Sequence, residues 1–379
     1  MRRALGAVVA TGLLLSAVPA HAQVPKDIQE GLKKIGQIVD PACTAKLYRP
    51  LMPANDFNTY WPLTAPSPAS TARLYPGVDI ARDQPFGPNP KDVVDVFTAE
   101  KKGSNRPIFI YVAGGGGNKI EQQVREGNAF YDNIARWAVK NGMVGVTVQR
   151  HAGTNWDDGG RDLSLAVDWV KANAARFGGN PNRIFIAAHS AGTGPLGVYV
   201  GHPERWKNGV QVKGAIYMSG NPVPSVGGVG APGAGRGAPG GAPAGPAPGA
   251  ACGVSANMGS NDGQIAGPSG QTEAAGFGGG RGRGAFQPPS AEELKERDNL
   301  PGFKATPVKV MLVRAELDPG VTGDMTAADK ALHDELCKAD RCPAMLFARN
   351  HSHMSEVFSF DTPDTTVSGP ILTWLKGIK

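Results

Sequence analysis

Residues 184–192 read Ile-Phe-Ile-Ala-Ala-His-Ser-Ala-Gly, an apolar run that ends in a serine between small residues. A short continuous apolar run is typical of a strand buried on both faces of a sheet. The run passes directly into the small-Ser-small turn of a nucleophile elbow, G-x-S-x-G, with Ala188 in the first glycine position. Such a turn presents its serine at the carboxyl end of the sheet, where open α/β folds bind ligands. We therefore predict an α/β fold with Ser190 as a candidate nucleophile.

Six further apolar runs predict strands on either side of this one. They cover residues 93–97, 108–112, 144–148, 215–218, 308–313 and 344–348. Helical apolar patterns lie between several of them, one around Ile134 and Trp137 and another from Leu163 to Phe177. Strands that alternate with helices predict a mainly parallel sheet covered by helices on both faces.

The chain divides into segments of different composition. Residues 1–22 hold two arginines, an apolar run and a final Ala-His-Ala, which is the layout of a secretory signal peptide. Residues 23–92 are rich in proline and predict one short helix at 28–39, in a segment that packs on a catalytic domain at 93–379. Residues 222–290 are mostly Gly, Pro, Ala and Ser, which predicts a disordered insertion within that domain.

The signal peptide predicts export to the periplasm or the cell exterior, with a mature chain that begins at Gln23. The alternative is an N-terminal membrane anchor, but the apolar run at 7–18 is too short to span a bilayer, so stable membrane insertion is not expected. Nucleic acid is a poor candidate partner, because the net charge is only +6 and the basic residues are scattered apart from Arg281 and Arg283.

The four cysteines can be oxidised in an exported protein. Cys337 and Cys342 close a short loop and form the first candidate disulfide, whereas the pairing of Cys43 and Cys252 stays open. The spacing matches neither C-x-x-C pairs nor His/Cys zinc patterns, so we predict no metal site.

A glycine run at 114–117 follows the strand predicted at 108–112. Acyl transfer needs hydrogen-bond donors aimed at the developing oxyanion. The backbone N–H groups of Gly115 and Gly116, with that of Ala191, are the predicted donors. The alternative, a phosphate loop, is disfavoured because the run has neither a G-K-[ST] ending nor G-x-G-x-x-G spacing.

The acid of a triad is expected after the strand at 308–313, because the elbow fold orders its partners Ser, acid, His. The chain offers Glu316 and Asp318 there. Asp318 is favoured, since it lies past the strand end, where its side chain can reach a neighbouring loop. The alternative role of Asp318 is to initiate a turn, as Asp-Pro pairs often do.

Histidine is the base in such a triad. His351 and His353 both lie in the loop expected after the strand at 344–348, so they compete for this role. The other histidines are excluded by their place in the signal peptide, beside the serine, ahead of the acid or within a predicted helix: His21, His151, His189, His202 and His333.

Together these residues resemble the carboxylesterase-like α/β hydrolases that carry H-G-G-G and G-x-S-x-G motifs. The resemblance covers most of residues 83–379. The matching segments are FGP at 86–88, FYDNI at 130–134, FGGNPNRI at 177–184, HSAG at 189–192 and NHSHMS at 350–355. In this family the histidine just before a hydrophobic-Ser pair is the base, which implies His353.

The resemblance implies a serine hydrolase of EC 3.1.1 type that cleaves small-molecule esters through an acyl-enzyme, without a cofactor. Ala113 stands where the family has histidine and Gly117 where it commonly has an aromatic residue, so the acyl pocket departs from the family pattern. Two alternatives stay open: an amidase or arylformamidase-like hydrolase, and a catalytically silent hydrolase fold used for binding.

Overall fold

The computed structural model describes residues 23–52, 75–101, 103–114, 131–149, 155–226, 252 and 290–379. Within these ranges the chain forms an eight-stranded sheet with helices on both faces. The strands are β1 (Val78–Pro85), β2 (Val93–Ala99), β3 (Arg106–Val112), β4 (Val144–Val148), β5 (Gly179–His189), β6 (Gly214–Met218), β7 (Lys309–Leu317) and β8 (Ala344–Ser352). The α-helices are α1 (Lys26–Ile35), α2 (Pro41–Tyr48), α3 (Asp132–Lys140), α4 (Asp158–Asn173), α5 (Thr193–Gly201), α6 (Ala291–Glu296), α7 (Leu300–Ala305), α8 (Ala327–Cys337), α9 (Ser355–Phe358) and α10 (Ser368–Gly377).

The strand order across the sheet is β1-β2-β4-β3-β5-β6-β7-β8. The β1–β2 and β2–β4 pairs are antiparallel, and every pair from β4 to β8 is parallel. The predicted mainly parallel sheet is thus confirmed. Because parallel strands end at the same edge, the carboxyl ends of β3, β5, β7 and β8 meet there. That edge carries Ser190, Asp318 and His353.

The sheet separates two hydrophobic layers. Ile108, Ile110 and Val112 of β3 face a layer that contains residues of α4, α5, α7 and α8. Phe109 and Tyr111 of the same strand face the other layer, which contains residues of α1, α2, α3, α9 and α10. Each large apolar side chain buried in this way contributes about 1.5–3 kcal/mol. Burial on both faces explains why the parallel strands read as continuous apolar runs.

The segment before β2 holds more structure than the sequence predicts. The helix predicted at 28–39 ends at Ile35, because Gly36 turns the backbone to a φ of 77°. A second helix, α2, and the strand β1 are missing from the prediction. The sequence of β1, VDIARDQP, is largely polar, and five of its eight residues are only partly buried. Arg82 in its middle is nevertheless buried.

Two disulfides join described cysteines. Cys43 is bonded to Cys252 at 2.06 Å and Cys337 to Cys342 at 2.12 Å. The predicted insertion at 222–290 lies outside the described residues except for 222–226, Cys252 and Ser290. Val223 and Val226 are buried, so the core continues into the start of that segment.

The signal-peptide prediction at 1–22 also lies outside the described residues. In the part of the chain that is described, no helix is long and apolar enough to cross a bilayer. The same part contains no group of three or more His, Cys, Asp or Glu side chains placed to hold a metal ion.

Candidate active site

Ser190 begins a tight turn between β5 and α5. Its backbone has a φ of 52°, in the left-handed region that costs a non-glycine residue about 1–3 kcal/mol. Residues 190–192 form a single 3-10 turn, and the Thr193 hydroxyl donates to the Ser190 carbonyl at 2.7 Å. This strained strand-to-helix turn has the form of a nucleophile elbow. Ser190 itself is half-buried at the carboxyl edge of the sheet.

Small residues around the serine are required by close backbone contacts. A Cβ on Gly114 would lie 2.8 Å from the Ser190 Cβ and 3.0 Å from the His189 carbonyl oxygen. A Cβ on Gly192 would lie 2.7 Å from the Ala113 carbonyl oxygen. The backbone just after β3 therefore lies so close to the elbow that only glycine fits at positions 114 and 192.

Asp318 and His353 are in direct contact. Asp318 is the first residue after β7 and His353 the first after β8, and these two strands are parallel neighbours. The His353 Nδ1 lies 2.6 Å from the Asp318 Oδ1, and both side chains are buried. When Nδ1–H donates to the carboxylate, the His353 Nε2 carries no proton and can accept one.

His351, the competing base, is placed elsewhere. It lies within β8 rather than in the loop after it, because the strand continues to Ser352. Its ring is fully buried, with Nδ1 3.0 Å from the Ser355 hydroxyl and Nε2 2.6 Å from the Thr366 hydroxyl. Of the two candidate histidines, only His353 contacts Asp318.

His189 links the serine to the base. Its ring centroid is 4.7 Å from that of His353, and its Nε2 lies 2.8 Å from the His353 carbonyl oxygen. Burial, followed by the proximity of His353, lowers the pKa of His189 to about 3, so the ring is neutral. A neutral ring with its proton on Nε2 donates to that carbonyl, so the residue before Ser190 supports the backbone of His353.

Known proteins resemble this chain over about a third of its length, in the region that includes Ser190. The sequence model of the Carboxylesterase family matches residues 93–227, which include β2 to β6 and Ser190. Esterase-5B of Drosophila miranda is 31% identical over 141 residues, which are 35% of this chain and 25% of that protein. Secreted lipase 5 of Gibberella zeae is 31% identical over 145 residues, which are 34% of this chain and 26% of that protein. The matched region thus spans about a quarter of the length of these relatives.

A solved structure extends the likeness across the fold. Esterase B from Lactobacillus rhamnosis has a TM-score of 0.53 and 11% identity, over 80% of this chain and 86% of that chain. The chain has the α/β-hydrolase fold of these esterases, and its residues 93–227 resemble the Carboxylesterase family. The family match of this α/β-hydrolase ends at residue 227, so Asp318 and His353 lie beyond it.

Of the three predicted oxyanion-hole donors, only Ala191 is among the described residues. Gly115 and Gly116 lie outside the described residues. Ala191 is the second residue of the turn that Ser190 begins, next to the end of β3 at Gly114. A cavity of about 390 Å³ lies elsewhere on this α/β-hydrolase, between α3 and the α10 region, and none of the predicted site residues lines it.

Arg314 is a site residue that the sequence analysis missed. It lies in β7, is buried, and its Nη1 donates to the Asp318 Oδ2 at 2.5 Å. Burial opposes the charge of Asp318, but the hydrogen bond from His353 and the Arg314 guanidinium outweigh it and hold the pKa of that carboxyl below its usual value. The signal was present: a charged residue inside an apolar strand run requires a buried partner.

Glu356 is a second missed residue. It lies in α9, one turn after His353, and is fully buried with Oε1 3.4 Å from the His189 Nε2. Burial, with the nearby charge of Asp318, raises the pKa of Glu356 well above its ordinary value. Burial therefore favours the neutral form of this carboxyl, which lies against His189, the residue before Ser190.

Proposed function

We propose that this protein is a serine hydrolase that cleaves carboxylic esters of small molecules, with Ser190, His353 and Asp318 as its triad. The observation that carries the proposal is the 2.6 Å contact between His353 and Asp318, at the sheet edge that also holds the strained Ser190. The resemblance to carboxylesterases supports an ester substrate.

In the proposed reaction, His353 Nε2 takes the proton of the Ser190 hydroxyl as Oγ attacks the ester carbonyl carbon. Asp318 accepts the Nδ1–H bond, which keeps the ring in the required tautomer and stabilises the imidazolium that forms. The protonated His353 then gives its proton to the departing alcohol. A water molecule, deprotonated by the same ring, releases the acid from the acyl-enzyme.

The negative charge of each tetrahedral intermediate would be stabilised by the backbone N–H groups of Gly115, Gly116 and Ala191. Removing one such donor in a serine hydrolase typically lowers kcat by about 10²–10³. This chemistry requires no cofactor, because the nucleophile, the base and the electrostatic stabilisation all come from the chain.

The test is covalent labelling with a fluorophosphonate, followed by mass spectrometry of the adduct and assays on p-nitrophenyl esters of increasing chain length. We expect the adduct on Ser190, and Ser190→Ala should lose both labelling and hydrolysis. Ser225→Ala, at an exposed serine, is the control and should keep both. Labelling elsewhere, or hydrolysis retained by Ser190→Ala, would contradict the proposal. Parallel assays on p-nitroanilides identify an amidase, and silence in every assay identifies a binding protein.

We also propose export, with 1–22 as a signal peptide and 93–379 as the catalytic domain on which 23–92 packs. The two disulfides support an oxidising compartment. Mass spectrometry of the protein from the periplasmic and culture fractions should give a mature N-terminus at Gln23. A full-length chain that stays in the membrane fraction would identify an uncleaved anchor instead.

A further inference from the structure

Arg314 forms a fork between two buried carboxylates. Its Nη1 donates to Asp318 Oδ2 at 2.5 Å, while Nε and Nη2 donate to the two oxygens of Asp329 at 2.9 and 3.0 Å. Nη2 also donates to the Gly220 carbonyl at 2.9 Å. Four directed bonds on one planar group leave its position little freedom.

Both side-chain oxygens of Asp318 accept a hydrogen bond. Oδ1 accepts from His353 and Oδ2 accepts from Arg314. Rotation of the carboxylate would break both bonds, so Arg314 fixes the orientation in which Asp318 meets the imidazole. A carboxylate with a single partner would keep that rotation.

Asp329 is itself held in place by the start of α8. Its Oδ2 accepts from the Thr326 backbone N–H at 3.1 Å and from the Thr326 hydroxyl at 2.6 Å, in a capping box at the helix N-terminus. The far side of the Arg314 fork is therefore anchored to a helix. This anchor explains how a long side chain can act as a rigid support for Asp318.

Arg314 also supplies charge next to the Asp318–His353 pair. Among the described residues, the titratable groups that face this pair are Arg314 from β7, Asp329 from α8, His189 from the end of β5 and Glu356 from α9. Burial lowers the pKa of His189 to about 3 and raises the pKa of Glu356, which favours the neutral form of each. Arg314 is thus the cation and Asp329 the further anion among these groups. A cation here opposes proton uptake by the pair, and an anion favours it.

We propose that Arg314, anchored by Asp329, is a positioning residue that fixes the Asp318 carboxylate against His353 and places a cation beside the Asp318–His353 pair. The inference rests on the proposed hydrolase function, because it assigns a task within the same site. Arg314 acts through Asp318 and touches no substrate atom.

Arg314→Met removes the fork and its charge. We expect kcat for a p-nitrophenyl ester to fall about 10- to 100-fold with little change in KM, because Asp318 loses its fixed orientation. The acid limb of the kcat/KM profile should move to higher pH by about one unit, because the pair loses its neighbouring cation. Arg314→Lys retains the charge without the planar fork, so its kcat should fall while its acid limb stays near that of the wild type.

Asp329→Asn tests the opposite shift of the acid limb, because it removes an anion instead of a cation. The amide oxygen can still accept from Thr326, but the anion that offsets Arg314 is gone. The acid limb of this variant should therefore move to lower pH, opposite to Arg314→Met. Arg161→Met is the matched control, because Arg161 is exposed and its partner Asp157 keeps an ion pair with Arg205, and it should leave the profile unchanged.

A readout without turnover separates this inference from the hydrolase proposal. NMR titration of isotope-labelled histidine, with His353→Gln to assign the signal, should follow the acid limbs. The pH at which His353 takes up a proton should rise in Arg314→Met and fall in Asp329→Asn. Matching shifts would uphold the role of Arg314 even if fluorophosphonate labelling failed. The proposal would be overturned if Arg314→Met folds and loses kcat while its acid limb and its NMR titration both stay at the wild-type pH. A merely structural role of Arg314 has that result. Wild-type kinetics in Arg314→Met would overturn it as well. If Arg314→Met fails to fold, the Lys and Asn variants carry the same test.

Discussion

At the scale of single residues, the site depends on contacts that exclude even a methyl group. Ser190 holds a left-handed backbone, and Gly114 faces it so closely that a Cβ would lie 3.0 Å or less from two atoms of residues 189 and 190. The strain in Ser190 therefore persists because the surrounding atoms over-determine its position. The sequence indicates the elbow through its small residues, but the contact between β3 and the elbow depends on the parallel register of the sheet.

Gly114→Ala should accordingly displace the elbow. The added methyl group meets the Ser190 Cβ at 2.8 Å and the His189 carbonyl oxygen at 3.0 Å, and neither atom is the end of a flexible side chain. We expect at least a tenfold loss of kcat and a destabilisation of about 1–3 kcal/mol, measured by ester assay and urea denaturation. Gly194→Ala is the control, because a Cβ there meets nothing within 4 Å and the helix α5 gains about 1 kcal/mol. Equal behaviour of the two variants would contradict this account.

Glu356 gives a prediction about pH. Its pKa in the folded chain is raised by burial above the unfolded value. The stability that it contributes is therefore fully present below the unfolded pKa of about 4.3 and is lost as pH rises toward the folded value. Glu356→Gln removes this loss, so its free energy of unfolding should gain on that of the wild type as pH rises above the unfolded pKa, by up to about 1.4 kcal/mol per pH unit.

Urea denaturation at several pH values measures this difference. Glu292→Gln, at an exposed position in α6, is the control and should track the wild type at every pH. A Glu356→Gln variant that becomes relatively less stable as pH rises would show that the folded chain holds the carboxyl ionised.

At the scale of elements, the strands that the sequence predicts are those whose two faces are both apolar. β2 to β8 each contain such an apolar run, and Asp318 and His353 follow directly from the ends of β7 and β8. β1 does not, because its buried surface is partly ionic: Arg82 donates to Asp95 at 2.8 Å and to both oxygens of Asp132. Arg314 was missed for the same reason. The ion-pair partners of Arg314 are four and fifteen residues away, and such pairing leaves no periodic pattern, so the sequence shows that Arg314 needs a partner without showing which one.

Arg82→Met tests the importance of the ionic link between β1, β2 and α3. The substitution would leave Asp95 and Asp132 buried without their cation, which typically costs about 3–5 kcal/mol. Urea denaturation should show this loss, while the kcat of the remaining folded protein stays near the wild-type value because the link lies away from Ser190. Arg161→Met again serves as the control. A loss below about 1 kcal/mol would indicate that water reaches the two carboxylates.

At the scale of the whole molecule, Cys43–Cys252 joins α2 to a residue within the predicted insertion, across a sequence separation of 209. Cys337–Cys342 closes a separation of only 5. A cross-link lowers the entropy of the unfolded chain more when it closes a longer loop. In the chain-entropy account this gives about 5 kcal/mol for the long loop and about 2 kcal/mol for the short one.

The double variant Cys43→Ser/Cys252→Ser should therefore lose more stability than Cys337→Ser/Cys342→Ser. The two variants control for each other, because each removes two sulfur atoms and keeps the other bond. Equilibrium urea denaturation under non-reducing conditions measures both, and the long-loop variant should have the lower midpoint by a clear margin. The ester assay, run on both variants, separates an effect on stability from an effect on function. Equal losses would show that the unfolded chain with Cys43–Cys252 intact keeps enough structure to cancel the loop-entropy difference.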